Sequence, residues 1–280
     1  MLHDLPWHSF TLPEEALRWR AEVERISGLR VQLLRDDTMT DAEGEAWSEP
    51  GLRAVVLASD GNAMTIVHEL GHLRLETLGW PHCYLCGDDL DWIDRYYGLL
   101  SDLVSLIEHR AFFPALLNMG LDPYAASEAD LADGDVLAAL RVLPATVTPD
   151  WTVVMQLLRA LLETGPVVAA QVMQAASHLV VESWLARQLA GIATAAPLTP
   201  EGFRIAMRGC WALLGFPRDS LQIGEDEAPV IEITEVETPA VEINPLRPAV
   251  TPAMTGERGG NSLRPAALNP SSPFAEEGLA

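Results

Sequence analysis

The sequence predicts an α+β protein, mostly helical: a small β-sheet packed on one helix, then an α-helical extension, then a disordered acidic tail. Three observations predict this. Residues 29–34 and 52–58 are short apolar runs with β-branched content, and the second leads almost directly into a helical pattern over 62–79. From residue 90 to residue 214, apolar side chains recur at helical spacing between Pro and Gly signals. From about Asp219 the chain turns acidic and Pro-rich, with Glu225-Asp226-Glu227, Gly259-Gly260 and Ser271-Ser272.

A chain of 280 residues with 49% hydrophobic content has ample material for a sizeable core. Its formal charge of -22 argues against a nucleic-acid partner, because phosphate binding needs clustered basic side chains. All 18 basic residues are Arg, a bias that carries no mechanism. The start, Met1-Leu2-His3-Asp4-Leu5-Pro6, has neither a positive region nor an apolar run of the kind that directs export. Residues 167–181 are broken by Gln171, Gln174 and His178 and are too short to span a bilayer, so no membrane partner is expected. Three Cys do not make a disulfide framework. The expected location is cytoplasmic, and the oligomeric state is not legible.

In chain order, residues 13–26 read as a first helix, with Leu17 and Ala21 interleaved with Glu14, Arg18 and Glu22, ended by Gly28. Residues 29–34 form a strand, 36–50 a polar loop, and 52–58 a second strand, either an ordinary core strand or an edge offered to a substrate. The helix over 62–79 is capped by Ser59 or Asp60 and stopped by Gly79 and Pro81. Residues 80–87 read as a loop in which Cys83 and Cys86 have the spacing of half a zinc ribbon. His82 and the distant Cys210 could add to it; the plainer reading is an uncommitted loop and a buried helical Cys. A long helix follows from residue 90 to about 119, then helices near 125–141, 150–164, 166–190 and 200–214. The chain divides into a core over 1–124, a helical extension packed on it over 125–218, and a tail over 219–280. Within the tail, residues 230–237 alternate and could add as a strand to an exposed edge, as a pseudosubstrate.

The chemistry is concentrated at His68-Glu69-Leu70-Gly71-His72. Residues four apart on a helix share a face, so His68 and His72 can turn imidazole nitrogens to one ion. Glu69 projects about 100° away from His68, placed to reach a water rather than the ion. Gly71 costs a helix about 1 kcal/mol relative to Ala, which close approach of another backbone would explain. Glu76 lies about 12 Å along the axis from His68, too far for one zinc. A third ligand folding back after the helix would need Gly at 75 and His at 78, and both are Leu. The remaining donor must come from the long helix. There the face through Ser101, Val104, Ser105, Glu108, Ala111 and Ala115 is small or apolar with one carboxylate, so Glu108 is expected, with His109 and Asp102 on adjacent faces as alternatives. Tyr96, Tyr97, His109 and Arg110 are the possible donors to an oxyanion. His178 reads as a core or surface histidine.

His68-Glu69-Leu70-Gly71-His72 after a strand, with Glu108 on a second helix, resembles the gluzincins, zinc metallopeptidases of zincin-like fold, and its Leu-Gly filling is similar to the ImmA/IrrE-like metallopeptidases. The resemblance covers residues 29–113. It implies zinc held by His68, His72 and Glu108, Glu69 as catalytic base, and peptide-bond hydrolysis in a protein or peptide substrate. Members of the group act on regulatory proteins such as transcriptional repressors. This chain departs from them in lacking a basic helix-turn-helix segment and in the long Cys-containing connection before Glu108. Two other readings share the motif: a catalytically silent metal-binding interaction or sensor protein, and a hydrolase of non-peptide amides.

Overall fold

A computed structural model of the chain describes residues 2–39, 43–59, 61–87, 89–146 and 148–224. Strands β1 (Leu2–Asp4), β2 (Val31–Asp36), β3 (Gly44–Glu49) and β4 (Leu52–Leu57) form one sheet in the order β1-β2-β4-β3. β2 and β4 are parallel, while β1 and β3 pair antiparallel on the two sides. Val31, Leu33, Val55 and Leu57 on one face pack with Val23, Ile66, Leu70 and Leu73 of the helices beneath. Leu34, Ala54 and Val56 on the other face gather a smaller cluster with Met39 and Trp47.

Two expectations change here. The polar stretch after residue 36 contains β3, whose composition has little strand propensity. All six of its residues are held by the ladder to β4 rather than by intrinsic preference. As a result β4 is an interior strand, and β3 is the edge nearest the motif helix.

Helix α1 (Glu14–Ser27) buries Ala16, Trp19 and Val23, and α2 (Ala63–Thr77) carries the motif. Gly28 and Gly79 end the two helices with φ of 71° and 86°. The start of α2 is capped by Asn62, not by Ser59: its side chain accepts the N–H groups of Met64 and Thr65, and Thr65 reciprocates. Asp60 lies outside the described residues.

The expected loop at 80–87 contains β5 (His82–Leu85), which pairs antiparallel with β6 (Leu221–Gly224). Residues 221–224, expected to lie in the tail, are therefore a paired strand, because β6 has a partner that no local pattern announces; residues 225–280 lie outside the described residues. The pseudosubstrate segment at 230–237 lies outside the described residues.

Helix α3 (Leu90–Asn118) is followed by α4 (Ala125–Ala132), α5 (Gly134–Val142), α6 (Trp151–Glu163), α7 (Pro166–Ala175), α8 (Val180–Ala195) and α9 (Pro200–Leu213). Asp133 splits the pattern at 125–141 by capping α5, accepting from the N–H groups of Asp135 and Val136. One buried cluster runs from Trp19 and Leu75 through Leu103, Phe112 and Leu116 of α3 to Leu157, Leu189, Phe203 and Trp211. The extension thus packs directly on α3, through α6 and α9, and shares one buried cluster with α2, which carries the motif. Among the described residues, no helix is long and apolar enough to cross a membrane.

Candidate metal centre

Helical spacing brings His68 and His72 together on α2, with their Nε2 atoms 3.2 Å apart. Neutral imidazole nitrogens that face one another this closely need a shared proton or a cation between them. α3 crosses at Gly71, where an added Cβ would lie 2.6–2.9 Å from the Phe112 ring. It is an aromatic side chain, not a backbone, that requires this glycine.

The crossing delivers His109. Its ring centroid is 4.7 Å from that of His68 and 5.2 Å from that of His72, and it stacks on Phe113 at 4.2 Å. One nitrogen from each of His68, His72 and His109 lies within 4.8 Å of the other two, a group that could hold a metal ion. His109 Nδ1 is bonded to Glu163 Oε1, while Nε2 is buried without a hydrogen-bond partner. A buried nitrogen without a partner, on a ring that belongs to such a group, is what an ion with metal–nitrogen bonds of about 2.0–2.1 Å would satisfy.

Glu108 stands elsewhere than expected. Its Oε2 is 2.6 Å from His72 Nδ1, so it grips the back of a ring in the group. The reason is the rotation of α3. Its buried side runs through Leu99, Leu103, Leu106, His109, Phe113 and Leu116, and the face through Ser101, Ser105 and Glu108 is turned partly outward. A histidine interrupting that apolar stripe is the signal in the sequence that points to His109.

Glu69 is 9% exposed and turns from His68 towards β3. Its carboxylate accepts the N–H of Ala46 and lies 3.9 Å from His68 Nε2. Gly44 permits that approach, since a Cβ there would lie 2.5 Å from Thr65 Cγ2 and 3.3 Å from Glu69 Cγ. Burial pushes the Glu69 carboxyl up to about 7; Glu45 and Glu108 add to this, while His72 and the Ala46 N–H oppose it. Burial also holds His68 well below its ordinary value, helped by His109 and His72. His109 is held well below by burial, His72 and Arg159. His72 goes the other way: burial opposes its proton, but the bond to Glu108 and the charges of Glu108, Glu69 and Glu163 together outweigh it.

Glu163 is the residue that sequence reasoning missed. It closes α6, 3% exposed, and also takes the Ser127 hydroxyl at 3.2 Å, with Arg159 Nε 3.4 Å away. Its trace in the sequence is faint: one acid at the end of an apolar helix.

The remaining candidates lie apart from this group. Asp102 interacts with Arg159 and Glu163. Tyr96 packs on Trp92 and Phe216, Tyr97 is 65% exposed, and Arg110 donates to the carbonyls of Ala193 and Thr194 at the end of α8. Glu76 takes the Ser48 hydroxyl and pairs with Arg53 and His82, lining a cavity of about 280 Å³ with Ile26 and Trp80. His178 is exposed and donates to the Leu143 carbonyl. Burial pushes the thiols of Cys83 and Cys210 up to about 12, and Cys86 Sγ is 3.5 Å from Gln222 Oε1. Among the described residues, the cysteines join no group of three or more metal-ligating side chains.

No protein-family model, curated protein or solved structure matches this chain.

Proposed function

We propose that this chain is a zinc-dependent metallopeptidase whose ion is held by His68, His72 and His109, with Glu69 as general base. The observation that carries the reading is the convergence of three imidazole nitrogens, one of them otherwise unsatisfied, beside a buried carboxylate on the same helix. When bound, zinc supplies a Lewis acid for a scissile carbonyl and for a water.

The chain's own residues do the rest. Glu69 accepts a proton from the attacking water and returns it to the leaving amine, a role suited to a carboxyl that burial has moved towards neutrality. The Ala46 N–H orients Glu69. Glu108 and Glu163 hold His72 and His109 through Nδ1, which leaves Nε2 for the ion. β3 has no strand on its outer side among the described residues, so its edge can take an extended peptide by main-chain hydrogen bonds. A donor set of three histidines departs from the two-histidine, one-glutamate set that the gluzincin resemblance implies. The resemblance rests on the five-residue motif and the strand before it.

The test is a comparison of wild type with Glu69→Gln for metal content and for new peptide termini in a whole proteome. The reading expects equal zinc and loss of cleavage in the variant. Equal zinc with identical termini would instead favour the silent metal-binding reading.

A further inference from the structure

We propose that Glu163 is a positioning residue for the metal centre, taking the Nδ1 proton of His109 so that Nε2 is aimed at the ion. This rests on reading the three histidines as a metal centre. With Glu163 as the carboxylate, which can only accept, the Glu163–His109 bond would put the ring proton on Nδ1 and a lone pair on Nε2. That nitrogen is the buried one without a partner.

The placement of Glu163 is costly on other grounds. A carboxylate 3% exposed gives up solvation, and the last residue of α6 sits at the negative end of a helix. Ser127 from α4 and Arg159 from α6 steady the second oxygen, leaving the first for His109. A merely structural ion pair would leave His109 Nε2 unexplained; a carboxylate–histidine–metal arrangement accounts for both nitrogens. Glu108 holds His72 from the helix that also bears His109. Glu163 instead comes from beyond residue 124, so the helical extension helps to build the centre.

Two measurements on the full chain test this. Nitrogen-15 spectra of the metal-free wild type should place the His109 proton on Nδ1, and adding zinc should shift Nε2. A proton on Nε2 overturns the proposal without any variant being needed. In Glu163→Gln, whose amide can donate to Nδ1, the tautomer should redistribute, and zinc affinity measured against a chelator should fall about 10–100-fold. Ser127→Ala, which leaves the carboxylate, should lose less. Wild-type tautomer and affinity in a folded Glu163→Gln would overturn the proposal. If the wild type takes up no zinc, the metal-centre reading is what fails, and the tautomer alone decides whether Glu163 fixes the ring.

Discussion

Glu108 Oε2 lies 2.6 Å from Nδ1 of His72, so the carboxylate expected to bind the ion grips a histidine from behind. The next residue, His109, takes the inward place. The two roles separate on mutation. His109→Ala should abolish tight zinc binding, whereas Glu108→Gln should retain zinc with affinity lowered about 10–100-fold. Metal content after dialysis against a chelator distinguishes them, and the reverse order would return the third position to Glu108.

Gly71 lies under the Phe112 ring. Gly71→Ala gains about 1 kcal/mol of helix propensity but forces the α2–α3 crossing apart, an overpacking typically worth about 1–3 kcal/mol. The expected net result is a lower melting temperature and weaker zinc binding, because His109 rides on the displaced helix. A variant with both properties unchanged would show that the crossing does not set the site.

The Glu69 carboxyl is at about 7 in the folded, metal-free chain against an ordinary 4.5. Below about pH 4.5 it is protonated both folded and unfolded; as pH rises through 7 the unfolded chain ionises first, and stability is lost. Glu69→Gln removes that loss. The metal-free variant should exceed wild type in denaturant stability at pH 8 by a few kcal/mol, at about 1.4 kcal/mol for each pH unit separating the two states. The difference should close towards pH 4.5. A constant difference across that range would mean that the carboxyl titrates normally.

The histidines should titrate in opposite senses in the metal-free protein. His68 and His109 are held well below the ordinary 6.5 and should stay neutral as pH falls past it, while His72 should hold its proton above it. The signs follow from linkage. The contribution of His68 and His109 to stability is present above pH 6.5 and lost as pH falls; that of His72 is present below 6.5 and lost as pH rises through its raised value. Proton NMR titration of the three rings would check the order, and coincident midpoints near 6.5 would contradict it.

The boundary of the tail is testable by truncation. Ending the chain after Gly224 preserves the β5–β6 ladder and should leave the melting temperature unchanged. Ending it after Arg218 removes β6 and also Ser220, which accepts the Trp211 indole N–H at 3.1 Å and, through its carbonyl, the Cys86 N–H at 2.9 Å. That truncation should lower the melting temperature by several degrees, which thermal unfolding would register.

Some of this was legible from local pattern. The helices over 14–27, 63–77 and 90–118, and their glycine ends, follow from periodicity and capping signals. β3 was not legible, because Gly44-Glu45-Ala46-Trp47-Ser48-Glu49 has strand form only through its neighbour β4. β5 was hidden in the same way by the distance to β6. The breaks inside the extension, at Asp133 and around His178, fell within apolar patterns that continue on both sides.

By itself the sequence determined the parts of the site that lie within one helical turn. The pairing of His68 with His72, and the direction of Glu69 away from them, follow from 3.6 residues per turn wherever α2 packs. Only the tertiary structure decided which residue of α3 completes the group. Neighbours on a helix point about 100° apart, so the rotation of α3 against Gly71 chooses between Glu108 and His109. The same packing brings Glu163 from α6 onto His109 across 54 residues of sequence. No spacing rule reaches that far; the contact exists because the buried faces of α3 and α6 share one core.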